Sequence, residues 1–186
     1  MRGTTTLLMA LLMALPAFRP SSVMAQAVSP KAGPIIESAG AVFTIDDPDV
    51  PTPVDHTFRD VFEVVDAADG PDQLNVSLNT AARFLNMHAQ AGVPLEQLHV
   101  ALVVHGPAGK DLLDDAHYRE RFGVANPNPP VLSELARAGV RIILCGQTAA
   151  ARDLPRDALA PPVEVALSAM TALVLLQDEG YRLIPF

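Results

Sequence analysis

The chain has 186 residues, of which 49% are hydrophobic and 18% are charged. These proportions are typical of a folded globular protein and exclude an intrinsically disordered one. A formal net charge of −8 argues against nucleic acid or an anionic membrane surface as a partner, because both require basic patches.

The first 25 residues are predicted to be a secretory signal peptide. Arg2 supplies a positive start, residues 7–18 form a short apolar run, and small residues allow cleavage after Ala25 or Ala27. A membrane-spanning helix needs about 20 apolar residues, which is more than this run offers. We therefore expect export to a bacterial periplasm, with no lipid anchor and no membrane partner.

Residues 26–56 are predicted to be an extended arm rich in Pro and Asp. An apolar island lies at residues 41–45. We expect its Val42 and Phe43 to pack on the domain or on a neighbouring subunit, with the ends of the arm left mobile.

Residues 57–186 are predicted to be one α/β domain. Runs of β-branched and apolar residues predict strands, and apolar residues at helical spacing predict helices. The predicted strands are 57–65, 98–105, 140–144, 163–167 and 181–184. The predicted helices are one that is capped by Asp69 or Asp72 and ends near 90, then 110–122, 130–138 capped by Asn128, a short one after 147–148, and one capped by Ser168 and ending near 177. The order β-α-β-α-α-β-α-β-α-β predicts a three-layer α/β/α fold with a mostly parallel sheet of about five strands.

The first helix carries a row of amide side chains beside its apolar stripe. Asn75, Asn79 and Asn86 recur at helical spacing and lie along one edge. This edge either faces a pocket or a subunit interface, with Asn79 as the candidate ligand-binding residue, or consists of solvated and capping side chains.

Two reactive side chains end two of the predicted strands. His105 follows the apolar run that ends at Val104, and Cys145 follows the run that ends at Leu144. Ligands of parallel sheets bind at the carboxyl ends of the strands, so these positions are candidates for chemistry. If the two strands are neighbours, an imidazole close to Cys145 would favour the thiolate. The alternatives are a buried, structural cysteine and a structural histidine.

Export makes the single cysteine more informative. Cys145 has no second thiol within its own chain, so no internal disulfide stabilises the domain. An odd cysteine in an exported protein indicates intermolecular pairing or a reactive thiol.

The helix at residues 169–176 is apolar almost all round. Such a helix is either central in the fold or faces another chain, so subunit assembly is one of two expectations.

The sequence lacks the short motifs that zinc hydrolases, thioredoxin-like proteins, serine hydrolases and nucleotide-binding proteins require. It contains no His-Glu-x-x-His, Cys-x-x-Cys or Gly-x-Ser-x-Gly motif and no phosphate-binding glycine pattern. We therefore expect no nucleotide or other cofactor. His105, His117 and Cys145 are conceivable metal ligands, but nothing in their spacing requires a metal.

Six short motifs are informative when they are taken together. They are residues 82–86 (ARFLN), 103–106 (VVHG), Tyr118 with 126–128 (NPN), 139–147 (GVRIILCGQ), 165–171 (VALSAMT) and 180–181 (GY). From about Val61 to Phe186 the chain resembles the DsrE/DsrF-like family of sulfur-relay proteins, in particular its exported single-domain branch. The resemblance implies a three-layer α/β fold, trimers or hexamers, and a cysteine, here Cys145, that carries sulfane sulfur as a persulfide.

The leading hypothesis is therefore a periplasmic sulfur carrier. Cys145 would accept sulfur from a donor protein or small thiol compound and pass it to a partner thiol, His105 would tune its charge, and the Gly146 and Gln147 amides would stabilise the anionic sulfur. One alternative is a non-enzymatic oligomer that binds a small ligand or anion while Cys145 is structural. Another is a metal chaperone that uses Cys145 and His105.

Overall fold

The computed structural model describes residues 29–185, so the predicted signal peptide lies outside the described residues. Five strands form one sheet: β1 (Phe58–Val64), β2 (Leu98–Val104), β3 (Arg141–Cys145), β4 (Val163–Ala166) and β5 (Arg182–Ile184). Every neighbouring pair is parallel, and the spatial order is β4-β3-β2-β1-β5. The predicted parallel sheet is confirmed.

Five α-helices join these strands in the predicted order. They are α1 (Val76–Gln90), α2 (Asp115–Phe122), α3 (Pro129–Arg137), α4 (Gly146–Ala151) and α5 (Ala169–Asp178). Short 3₁₀ segments precede β2, α2 and β4. The predicted α/β class and the order of its elements are therefore correct.

Alternation along the strands divides the core into two layers, because successive side chains point to opposite faces of a sheet. Phe62, Leu102 and Leu144 belong to the larger cluster, which α1, α2, α3 and α4 cover. Val61, Val103, Ile143 and Cys145 belong to the smaller cluster beneath α5. The cysteine therefore lies on the face of the sheet that a single helix covers.

The predicted cap of α1 is wrong, and that of α3 is correct in position only. Asn75, not Asp69 or Asp72, caps α1, and its Oδ1 accepts hydrogen bonds from the amides of the next turn. Its Nδ2 donates to Asp111 Oδ2 at 2.7 Å, which a carboxylate at this position could not do. Asn128 is the N-cap residue of α3, but its side chain makes no capping hydrogen bond, and its Oδ1 accepts the Asn75 amide at 2.9 Å instead.

The helix predicted from Lys110 begins later than expected. Residues Gly106–Leu112 form a 3₁₀ segment, and α2 starts at Asp115 with Asp114 as its N-cap. The Asp114 carboxylate accepts the amide of His117 at 2.8 Å, so the start of α2 is fixed by this cap.

The row of amides on α1 holds the N-terminal arm. Asn86 is fully buried; its Oδ1 accepts the Ile36 amide at 2.8 Å, and its Nδ2 donates to the Ile36 carbonyl at 2.8 Å and the Gly40 carbonyl at 3.0 Å. Asn79 Oδ1 accepts the Gly40 amide at 2.8 Å. The amides therefore satisfy backbone groups of the arm.

Gly40 shows how closely the arm lies on α1. Its φ is +73°, and a Cβ at this position would lie 2.5 Å from the carbonyl carbon of Ala82. Farther along the arm, Val42 is buried, whereas Phe43 is 54% exposed. The arm is therefore anchored through backbone contacts and Val42, and Phe43 does not form part of the core.

The outer side of α5 remains apolar and exposed. The residues concerned are Met170, Val174 and Leu175 of α5 and Leu167 just before it, each more than half exposed. The inner side is buried, with Ala169, Ala172 and Leu176 in the smaller cluster. The helix is therefore not central in the fold, because one of its sides is exposed. Contact of that side with another chain stays a prediction. Within residues 29–185 no helix is both long and apolar enough to cross a membrane.

We expect Asn86→Ala to destabilise the domain more than Asn79→Ala. The first change leaves several buried backbone groups of the arm without partners, at a cost of about 2–4 kcal/mol, and the second removes one partly buried hydrogen bond, at about 1 kcal/mol. Denaturant unfolding of the two variants measures the difference. Equal losses would contradict the clamp assigned to Asn86.

Candidate functional site

Cys145 is the last residue of β3, at the carboxyl edge of the sheet. It pairs with Ala166 of β4, and the residue is 6% exposed. The preceding residues, Ile142, Ile143 and Leu144, are buried on both faces of the sheet, so the strand holds the cysteine in a fixed position. The predicted location at the end of the strand is correct, and the cysteine there is nearly buried.

Opposing effects set the pKa of the Cys145 thiol, and the pKa is lowered overall. Burial raises it, but the Thr148 amide, the Ala169 amide, the Thr148 hydroxyl and the Gln147 amide act against burial and outweigh it. The thiol makes no capping hydrogen bond within α4, so these donors are available to a thiolate. The environment therefore favours the anionic, nucleophilic form of the sulfur.

Gly146 is required by the close approach of β3 to the end of β4. A Cβ on this residue would lie 2.6 Å from the Ala166 carbonyl oxygen and 3.2 Å from that of Leu167. Because these are backbone atoms, a larger residue would push the two strand ends apart. Gly146 thus keeps the start of α5, and with it the Ala169 amide, beside the cysteine.

Thr148 links the cysteine to the neighbouring strand. The Gly106 amide donates to Thr148 Oγ1 at 3.0 Å. With that lone pair engaged, the hydroxyl proton is free to point at the sulfur. Sequence reasoning missed Thr148, although its place three residues after a strand-end cysteine is a signal that it could have used.

His105 lies on the strand next to Cys145 and on the same face of the sheet. Val103 and Ile143 are register partners that both face α5, and His105 and Cys145 each come two residues later. The imidazole hydrogen bond goes to Glu63, with His105 Nε2 and Glu63 Oε1 2.9 Å apart. The two strands are neighbours, so the condition set by the sequence analysis is met. The influence of His105 on the sulfur stays a prediction.

The remaining predicted site residues are placed apart from one another. The Gln147 amide faces the thiol, and the Gln147 side chain donates to the Leu167 carbonyl at 3.3 Å. Asn79 lies on α1, in the layer opposite Cys145, and holds Gly40. His117 lies on α2 with Asp114. Within residues 29–185 no three His, Cys, Asp or Glu side chains are grouped as a metal site.

Cys145 does not line either of two cavities in the described chain, although the smaller one is lined by Ala166, its register partner. One, of about 520 Å³, lies between the arm and the end of α1 and is lined by residues that include Phe43, Met87 and His88. The other, of about 160 Å³, lies between β3, β4 and α5 and is lined by residues that include Arg141 and Leu176. The site of Cys145 is therefore the end of its strand and not either of these cavities.

Comparison with solved structures supports this architecture. The chain is similar to a protein of unknown function, MTH1491, from Methanobacterium thermoautotrophicum, with 25% identity and a TM-score of 0.51. It also has the fold of the ychN protein from E. coli, with 18% identity and a TM-score of 0.50. Each alignment covers 69% of this chain and 99% of the other.

The sequence comparison is more specific. No curated protein matches the chain. The model of the DsrE/DsrF-like family matches residues 60–186. This range includes Cys145 and all five strands, apart from the first two residues of β1. The chain therefore belongs to the DsrE/DsrF-like family.

Proposed function

We propose that this protein is a sulfur carrier that accepts sulfane sulfur on Cys145 as a persulfide and passes it to a partner thiol. Family membership suggests a role of the sulfur-relay type. The observation that carries the proposal is the lowered pKa of a nearly buried thiol at the carboxyl edge of the sheet.

The loading step follows from the chemistry of the thiolate. The Cys145 sulfur attacks the outer sulfur of a persulfide R–S–SH, a new S–S bond forms, and the S–S bond of the donor breaks. The products are Cys145–S–SH and the thiolate R–S⁻, so atoms and charge balance and no external oxidant is needed. Unloading is the same exchange with an incoming thiolate. Because the described chain holds no other cysteine, that thiolate comes from another molecule.

The surroundings of Cys145 suit this exchange. The donors that face the sulfur come from Gln147 and Thr148 on one side and from Ala169 of α5 on the other. They stabilise negative charge on the thiolate and on the terminal sulfur of a deprotonated persulfide alike. The position at an edge rather than in a cavity suits transfer between molecules.

We further propose that the carrier works in the periplasm as a trimer or hexamer. The location rests on the predicted signal peptide. Assembly is supported by the exposed apolar side of α5, because single-chain proteins rarely leave several large apolar side chains together in water.

Exposure of the chain to polysulfide should add the mass of one sulfur atom. We expect a gain of about 32 Da that reductant removes and that Cys145→Ser abolishes, since only this thiol can form a persulfide. Intact-mass spectrometry measures it. Two other outcomes would contradict the carrier. If the original chain never gains sulfur and Cys145→Ser still binds a small ligand, the protein is a binding module with a structural cysteine. If the original chain binds metal tightly and stoichiometrically and Cys145→Ser loses it, the protein is a metal chaperone.

Thr148→Val should move the alkylation profile of Cys145 to higher pH. Alkylation requires the thiolate, so its rate rises with pH through the thiol pKa; the lowered pKa puts this rise below that of an ordinary cysteine. Valine removes the hydroxyl donor, raises the pKa, and makes the reaction slower at pH 7 by roughly two- to tenfold. Thr148→Ser, which keeps the hydroxyl, is the matched control, and an identical shift in both variants would contradict the assigned role.

Val174→Asp should weaken the proposed assembly. Val174 is 57% exposed on the outer side of α5, so the change costs the isolated chain little, whereas it places an unpaired charge in an apolar interface. Sedimentation velocity should show a shift to smaller species. Glu120→Asp, on the exposed side of α2, should leave the distribution unchanged; a monomeric original chain would refute assembly altogether.

A further inference from the structure

The basic side chains within the five strands all lie at one edge of the sheet. They are Arg59, His99, Arg141 and Arg182, at or near the first residues of their strands, at the amino edge. At the carboxyl edge, where Cys145 lies, Glu63 is the last residue but one of β1, and Asp66 follows that strand. Cys145 therefore lies at the edge that holds Glu63 and Asp66.

The two basic side chains that follow β2, His105 and Lys110, are both paired with carboxylates. Lys110 Nζ lies 2.7 Å from the buried Asp111 carboxylate. His105 Nε2 lies 2.9 Å from Glu63, with 27% of the imidazole and 40% of the carboxylate side chain exposed. Whether the imidazole is neutral or protonated, the Glu63–His105 pair carries no net positive charge.

Glu63 shares the face of the sheet that holds the cysteine. Val61 and Val103 belong to the cluster beneath α5, and Glu63 is two residues after Val61 and the register partner of Val103. His105 and Cys145 each follow the register pair Val104–Leu144 by one residue, whereas Glu63 lies two residues lower, level with Val103 and Ile143. Adjacent strands are about 4.8 Å apart, so Glu63 is two strands from Cys145, and its carboxylate reaches the level of His105 through the 2.9 Å hydrogen bond to the imidazole. A donor that approaches the sulfur from the His105 side therefore meets the Glu63 charge.

We infer that Glu63 determines which sulfur donors load Cys145: it holds His105 and, with its own carboxylate, excludes the thiosulfate dianion in favour of persulfides that carry at most one negative charge. This inference rests on the proposed function and names the substrate class of the same site. Glu63 acts through His105 and through its field, as a positioning and specificity residue.

The two donors transfer the same atom with different leaving groups. Thiosulfate would give Cys145–S–S⁻ and sulfite, with three negative charges on each side of the reaction. A persulfide R–S–SH gives Cys145–S–SH and R–S⁻, with one negative charge on each side. The approach of thiosulfate to the thiolate therefore brings together more negative charge, at an edge where His105 and Lys110 are already paired with carboxylates.

The test compares the rates at which the full chain gains one sulfur from thiosulfate and from the persulfide of 2-mercaptoethanol, followed by intact mass. For the original chain we expect the persulfide to load at least about tenfold faster, and for Glu63→Gln we expect this ratio to fall by about threefold or more. High salt should also reduce the ratio, because the exposed charge is screened.

Two variants make the comparison specific. Glu63→Asp keeps the carboxylate and should retain most of the discrimination. Glu96→Gln changes the net charge equally but lies before β2, at the amino edge, and should leave the ratio as it is.

The outcomes separate the two proposals. Loading from neither donor overturns the sulfur-carrier function itself. Loading at equal rates from both donors, or a Glu63→Gln ratio that matches that of Glu96→Gln, overturns the role of Glu63 and leaves the carrier standing.

Discussion

The close approach of Gly146 to the backbone of Ala166 is the contact on which the site depends. It lets the end of β3 lie against the end of β4, so that α5 starts beside the cysteine and presents the Ala169 amide to it. The same turn directs the amides of Gln147 and Thr148 at the sulfur. Donors distant in sequence thus converge on one atom through a strand-end contact that only a residue without a side chain permits.

The two faces of the sheet have different tasks. Four helices cover one face, and Asn86 and Gly40 fasten the N-terminal arm onto that layer with buried hydrogen bonds and a close backbone contact. A single helix covers the other face, and there the sulfur, the Glu63–His105 pair and the exposed apolar side of α5 lie. The larger buried cluster thus lies on one face of the sheet, and the proposed sulfur site and the proposed assembly surface lie on the other.

The sequence was sufficient to predict the order of the elements and the neighbourhood of Cys145 and His105. Apolar runs at β2 and β3 and the alternation of strands and helices are local patterns, and parallel topology brings their carboxyl ends to one edge. The cap Asn75, the clamp Asn86 and the partner Glu63 depend on contacts between residues far apart in the chain, such as Asn75 with Asp111. No local pattern announces such a contact, and an Asn or Glu in a helix or strand is equally compatible with solvent exposure.

In the proposed carrier, the depth of the Cys145 sulfur would distinguish the empty protein from the loaded one. The residue is 6% exposed, so the thiol of the empty chain is largely shielded from solvent at the edge of the sheet. A second sulfur extends the side chain by about 2.05 Å, which is the length of an S–S bond. The outer sulfur of the loaded protein would therefore lie farther out than the thiol of the empty protein. An acceptor could recognise the sulfur-loaded protein by contact with that atom, without any change in the fold.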